Sequence, residues 1–294
     1  MNRLGIGLLL VTLTGCGAEG LDTEGEQVGS TSEALLSTRV VASDTSGNLY
    51  GSSSGTTFGS IAVVAGTQAA SVEGGGTVDG DYYVSKTGQL YERTSTTQWE
   101  QKFGAVEFVD ISTGGGVTLA VNAAGRILRK QGAQSFEYVE ELQVRESPKG
   151  AIVPISRIDV CDSGAILAAS SDGSGLYRYE GTPAHWTRDP LTGIGGIPGT
   201  LPSVLDVACG DGEPFIVAAR APRPGGVFRL HHGVWVKIAA GQPLFSASRL
   251  DVDSSGYVWF VGADSFNGPK LWRTNQGGLD LVFANVPNPF DVGS

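Results

Sequence analysis

Five aspartates stand in one local frame, apolar-Asp-apolar: Val109-Asp110-Ile111, Ile158-Asp159-Val160, Leu205-Asp206-Val207, Leu250-Asp251-Val252 and Phe290-Asp291-Val292. Carboxylates gathered by a repeat could hold a hard cation through oxygen ligands. They could also accept hydrogen bonds from neighbouring turns and tie repeat to repeat, since buried carboxylates are normally hydrogen-bonded. The second reading is preferred, because Ile61-Ala62-Val63 takes the same place without an acid; no metal or other cofactor is expected. Cys161 and Cys209 follow two of these frames in adjacent repeats. Strand alternation points them to opposite sides, so a disulfide and two buried thiols stay equally open. The three histidines, His185, His231 and His232, form no zinc spacing with Cys or Asp. No nucleophile elbow, P-loop or dinucleotide fingerprint stands in its required context. A catalytic set is therefore not visible.

The elements that carry these residues are short strands. Phe108 to Val139 reads as four of them, with period-2 alternation broken by Gly and Asn turns. Gly is 44 of 294 residues, about twice the usual ~7%, which suits many tight turns. The unit recurs: Tyr50 with Phe58, Tyr91 with Trp99, Leu128 with Phe136, Tyr177 with Trp186, Phe228 with Trp235, and Trp272 with Leu279. The Asp frames run in register with these pairs. Six four-stranded units of about 40–50 residues predict an all-β, six-bladed propeller. The first unit lacks its own Asp frame, so Phe290-Asp291-Val292 is expected to supply its inner strand and close the ring. The rival inner strand is Glu33–Leu36. In the second unit, Ile61–Val63 is expected as inner strand, followed by a Gly-rich insertion over Val72–Gly80.

The N-terminus reads as an address. Asn2-Arg3 precedes an apolar run, Leu4–Gly15, too short to span a bilayer as a helix. Leu13-Thr14-Gly15-Cys16 resembles the bacterial lipobox, which implies cleavage before Cys16 and a lipid on its sulfur. Residues 1–15 are then a signal peptide, 16–37 a flexible acidic tether and 38–294 the propeller. Gly17 in place of Asp points to the outer membrane, if the cell is Gram-negative. Of the net charge of −10, half lies in the tether: Glu19, Asp22, Glu24, Glu26 and Glu33. No basic cluster is present, which excludes a nucleic-acid partner.

The stretch VDISTGGGVTLAVNAAGRILRKQG, and more loosely LDVDSSGYVWFVG with LWRTNQGG, resembles tectonin-type repeats. Asn122 keeps that repeat's Asn. The resemblance implies a carbohydrate-binding or surface-recognition propeller. DSSGYVWF alone resembles a streptogramin-lyase blade.

In four-stranded blades the 2–3 and 4–1 loops share a face. The long connections Gln143–Ile155, Asp189–Ser203 and Ala239–Ser248 lie there, with enlarged loops at Arg220–Gly225 and Gly262–Pro269. Binding residues are expected on that face: Asp172, Arg223, Asp264, Phe266 and Asn267. Trp99, Trp186, Trp235, Trp259 and Trp272 are expected to pack. The sequence thus predicts a lipid-anchored, monomeric envelope protein that binds a glycan or surface polymer. The alternatives are a protein-binding scaffold in an envelope complex and a lyase or hydrolase.

Overall fold

The computed structural model describes residues 40–293, apart from 54–56, 75–80, 96–97, 103–105, 134, 148, 182–184, 196–200, 211, 221–222, 239–245, 265–267, 276–277 and 281–285. Within strands, the side chains at 220, 223, 224, 264, 275 and 278–280 are also outside the description. The signal segment, Cys16, the tether, Phe266 and Asn267 lie outside the described residues.

Six antiparallel sheets of four strands form the blades of a propeller. Blade one runs from its inner strand Pro289–Gly293 through Val40–Asp44 and Leu49–Ser52 to Gly59–Ile61. Blade two is Ala69–Glu73, Tyr82–Ser85, Leu90–Arg93 and Trp99–Lys102; blade three is Phe108–Gly114, Val117–Asn122, Ile127–Gln131 and Ser135–Tyr138. Blade four is Ile155–Val160, Ile166–Ser170, Leu176–Tyr179 and Trp186–Arg188. Blade five is Ser203–Gly210, Glu213–Arg220, Arg223–His231 and Val234–Lys237; blade six is Ser246–Val252, Val258–Asp264, Gly268–Asn275 and Gly278–Asp280. Each inner strand touches the inner strands of both neighbours, so the ring is closed. The closing strand is the C-terminal one, with Val292 opposite Ala42 and Asp291 opposite Ser43.

Burial explains why the strands read as they do. A blade packs on a neighbour through each face, so its second strand is apolar on both sides; all of Ile166–Ser170 is buried. Outer strands meet solvent, and Trp186–Arg188 is half-buried to exposed. The core is six apolar clusters, one per blade interface. Between blades four and five, for example, Leu167, Ile216, Phe228 and Trp235 meet.

Two backbone devices repeat around the ring. The 2–3 turn of one blade docks on the start of the next inner strand. Gly47, Gly88, Gly125 and Gly173 accept hydrogen bonds from the N–H groups of Ala69, Phe108, Ile155 and Val204. At Gly125, φ is +71°, and a Cβ would lie 2.6 Å from Pro154 Cβ; only glycine fits there. Indoles on outer strands tie down the preceding connection. Trp99, Trp186 and Trp235 donate from Nε1 to Ala62 O, Leu142 O and Asp189 Oδ1.

Three expectations are corrected. Ile61 ends the outer strand of blade one, and the inner strand of blade two is Ala69–Glu73. The motif at Ile61–Val63 was misleading because Val63 and Val64 serve as packing for the Trp99 cluster instead. Val72 and Glu73 therefore belong to a strand rather than to an insertion. The enlarged 2–3 loops of blades five and six are prolonged hairpins, paired out to Arg220 with Arg223 and Asp264 with Gly268.

Cys161 and Cys209 form a disulfide between blades four and five, with Cα atoms 5.2 Å apart. Alternation did not govern the pair because Cys161 lies just past the strand end at Val160, in a turn.

Candidate functional site

Every inner strand carries one register irregularity at the same depth. It falls between Phe108 and Asp110, Ile155 and Arg157, Val204 and Asp206, Ala247 and Arg249, Ala69 and Ser71, and, in the closing strand, Pro289 and Asp291. The extra residues are Val109, Ser156, Leu205, Ser248, Ala70 and Phe290. A bulge re-aims a side chain. Here it leaves Leu205 and Phe290 exposed at 37% and 38% on strands that are otherwise mostly buried. These residues ring the mouth of the axis. Five of them line a funnel of about 910 Å³ that opens on the 2–3 and 4–1 face. Its rim is built from the docking turns, including Lys86–Gly88, Ala123–Gly125 and Ser171–Gly173.

The residue after each bulge belongs to a layer at the base of the funnel, of which the two arginines line the funnel itself and the other four line the small space beneath. Around the axis it reads Asp291, Ser71, Asp110, Arg157, Asp206 and Arg249. Two positions deeper stand Gly293, Glu73, Ser112, Asp159, Ala208 and Asp251. The five aspartates thus occupy two layers rather than one ring, and two arginines interrupt the upper one. Between the layers is a cavity of about 20 Å³. That is room for about one water molecule.

Five of these acids, Asp110, Asp206, Asp291, Asp159 and Glu73, bond across a blade boundary. The N–H of Ile158 donates to Asp110, that of Leu250 to Asp206, and that of Val72 to Asp291, at 2.8, 2.9 and 3.1 Å. Ser71 Oγ donates to Asp110 at 2.9 Å and Ser112 Oγ to Asp159 at 2.6 Å. The Cys209 N–H also donates to Asp159. Glu73 accepts from the N–H of Thr113 at 2.7 Å. Arg157 lies 3.3 Å from Asp110 and 3.6 Å from Asp206, and Arg249 lies 3.3 Å from Asp291. Among the described residues no group of three or more His, Cys, Asp or Glu is arranged to hold a metal ion.

Too many carboxylates share this confined, buried space for all to ionise freely. Burial pushes Asp206 up to about 7, against the pull of Arg249 and Arg157. Burial also lifts Asp159 to about 6, with the Ser112 and Cys209 hydrogen bonds opposing it. Glu73 is raised well above its ordinary value by burial and by Asp251 and Asp159. Asp291 is raised by burial. Burial lowers Arg157, but Asp110 and Asp206 outweigh it and hold the guanidinium charged.

Of the residues nominated from the sequence, Asp172 lies on the funnel rim. Its carboxylate accepts from Ser170 Oγ, the Ser174 N–H and Ser174 Oγ at 2.7–2.9 Å, and these bonds hold its pKa down. It shapes a turn. Arg223 and Asp264 are at the ends of the prolonged hairpins, with side chains outside the description. Asn122 caps its own turn through the N–H groups of Ala124 and Arg126. Arg157, Arg249, Leu205 and Phe290 were missed. A signal existed: Ser156-Arg157-Ile158-Asp159-Val160 and Ser248-Arg249-Leu250-Asp251-Val252 repeat an Arg two residues before Asp. The other three frames carry no such Arg, which separates the two layers.

No protein family profile matches the chain. No curated protein matches it by sequence either. Solved structures do. The chain is similar to YCF48 bound to D1 peptide, with TM-score 0.51 and 16% identity over 86% of this chain and 84% of that one. It is also similar to a chain of the nidogen/laminin complex, with TM-score 0.59 and 8% identity over 87% of this chain and 97% of that one. At these identities the likeness is one of fold.

Proposed function

We propose that this propeller is an envelope recognition module that binds a segment of a partner protein in its axial funnel. One observation carries the reading. Six bulges stand at one depth, and five of them place residues on the wall of a blind funnel of about 910 Å³, with Leu205 and Phe290 exposed there. A concave site with apolar walls and a few charged groups suits a protruding segment. The fold neighbours support it, since one was captured with a peptide and the other in a protein complex. Catalysis is disfavoured by the axis: its shifted acids face a space of about 20 Å³, too small for a substrate. For the address, the lipobox-like Leu13–Cys16 supports export and anchoring through Cys16, and the Cys161–Cys209 disulfide supports an oxidising compartment.

A glycan ligand is the second reading. Its specific support is a cleft of about 590 Å³ where half-buried Trp99 stands beside Thr94, Gln98 and Glu100. Peptide and glycan arrays probed with the purified chain separate the two. Peptide retention lost in the Leu205→Ala/Phe290→Ala double variant supports the funnel. Glycan retention lost in Trp99→Ala, with no peptide bound, supports the cleft. Anchoring is tested by fractionation: Cys16→Ser should leave the membrane fraction, and its persistence there would overturn lipidation.

A further inference from the structure

Building on the peptide-binding reading, we propose that the funnel floor is a receptor for a carboxylate carried by the incoming peptide, held by Arg157 and Arg249. Both arginines line the funnel, and their side chains keep 13% and 19% of their exposure. Their internal ion pairs are long, at 3.3–3.6 Å, where a closed charge-assisted pair sits at about 2.7–2.9 Å. The same molecule shows what a finished structural pair looks like. Arg93 meets Asp81 at 2.6 Å with side chains 6% and 0% exposed. By contrast Arg249 Nε is buried without a hydrogen bond. Arg249 Nη1 reaches only its neighbour Ser248 O, at 2.8 Å, and Arg157 Nη1 shares long contacts with Val109 O, Asp110 and Ser156 O. Among the described residues neither Nη2 donates a hydrogen bond. A planar fork with spare donors at the base of a cleft is suited to a carboxylate.

Shape agrees with this. Lys86, Arg157, Arg249, Glu107 and Asp172 line the funnel itself, while Asp110, Asp206 and Asp291 stand beneath it within 3.3–3.6 Å of the two arginines. An incoming carboxylate therefore shares each guanidinium with these acids through the donors they leave unused. The collar above the arginines is apolar, with Phe290, Leu205 and Val109, so the favoured ligand places its carboxylate next to apolar side chains. The floor is blind, because the cavity beyond holds about 20 Å³. A group must enter end-on or as a loop tip, and a carboxylate on an Asp or Glu side chain or on a chain terminus satisfies that.

The test uses a positional-scanning heptapeptide library made twice, as free acids and as C-terminal amides. Pools with Asp or Glu fixed should be retained over the Asn and Gln pools if a side chain docks. Free acids should be retained over amides if a terminus docks; either result supports the proposal. Arg249→Gln should weaken the selected peptide about tenfold to a hundredfold, the scale of losing one charge-assisted contact. Arg249→Lys, which keeps the charge facing Asp291 but loses the fork, should fall between. Peptide binding that ignores both acid and terminus would overturn the carboxylate assignment and leave the funnel reading standing. No retention of any pool would overturn both. Should a variant fail to fold, the acid-against-amide and Asp-against-Asn comparisons on the unaltered chain decide alone.

Discussion

Asp206→Asn should flatten the pH dependence of stability. Burial lifts this carboxyl from 3.8 to about 7 in the folded chain. Between those values the native state holds a proton that the unfolded chain has released. The stability gained this way is full below the unfolded pKa and is lost as pH rises through the folded one. At about 1.4 kcal/mol per pKa unit, going from pH 5 to pH 8 removes about 2–3 kcal/mol through this group. Asn keeps the shape and can still accept the Leu250 N–H that Asp206 accepts at 2.9 Å, but it has no proton to lose. For a chain of this size 1 kcal/mol moves Tm by about 2–4 °C, so the wild type should lose about 5–10 °C more than the variant over that range. Thermal unfolding of both, with the disulfide intact, at intervals from pH 5 to pH 8 reads this directly. Asp159, raised to about 6, leaves a residual slope in the variant. Parallel profiles would refute the reasoning: they would mean that Arg157 and Arg249 keep Asp206 ionised throughout.

Reducing the disulfide, or replacing both cysteines by Ala, reopens a loop of 48 residues; the expected loss is about 4 kcal/mol, measured by denaturant unfolding with and without reductant. Gly125→Ala forces a Cβ to 2.6 Å from Pro154 at φ +71° and should cost about 2 kcal/mol, read in the same assay. Removing residues 289–294 deletes the inner strand of blade one and should yield an aggregating chain by light scattering; a stable monomer would contradict ring closure.

Much of the architecture was legible because blades repeat, and repeated constraints reappear as spaced residues. The Asp frame at 291 announced ring closure, since a strand that fills a missing place must look like its siblings. Blade two resisted for the converse reason. Its acids fall at Glu73, and at Ser71 a hydroxyl stands in for one, so Ile61–Val63 imitated the motif better than the true strand did. The funnel was less legible than the ring. A bulge is a property of pairing between two strands, and no residue type announces it. Leu205 and Phe290 look like ordinary apolar members of a buried strand until the register shift turns them outward. The two layers of acids were hidden for a related reason: a shift of two residues preserves the strand face, so alternation alone cannot separate Asp159 from Asp110.

Ring closure also sets a clock. Val41 pairs with Gly293, 252 positions further along the chain. In entropy this costs little: closing 252 residues rather than the disulfide's 48 adds only about 1.5 kcal/mol, because the penalty grows with the logarithm of loop length. In folding order it costs more. Blades two to six are each built from strands consecutive in the chain, so they can form from local pairings, while Val40–Asp44 keeps one edge bare until Pro289–Gly293 reaches it. A copy in which that pairing has not formed presents an open strand edge, and the finished ring hides it.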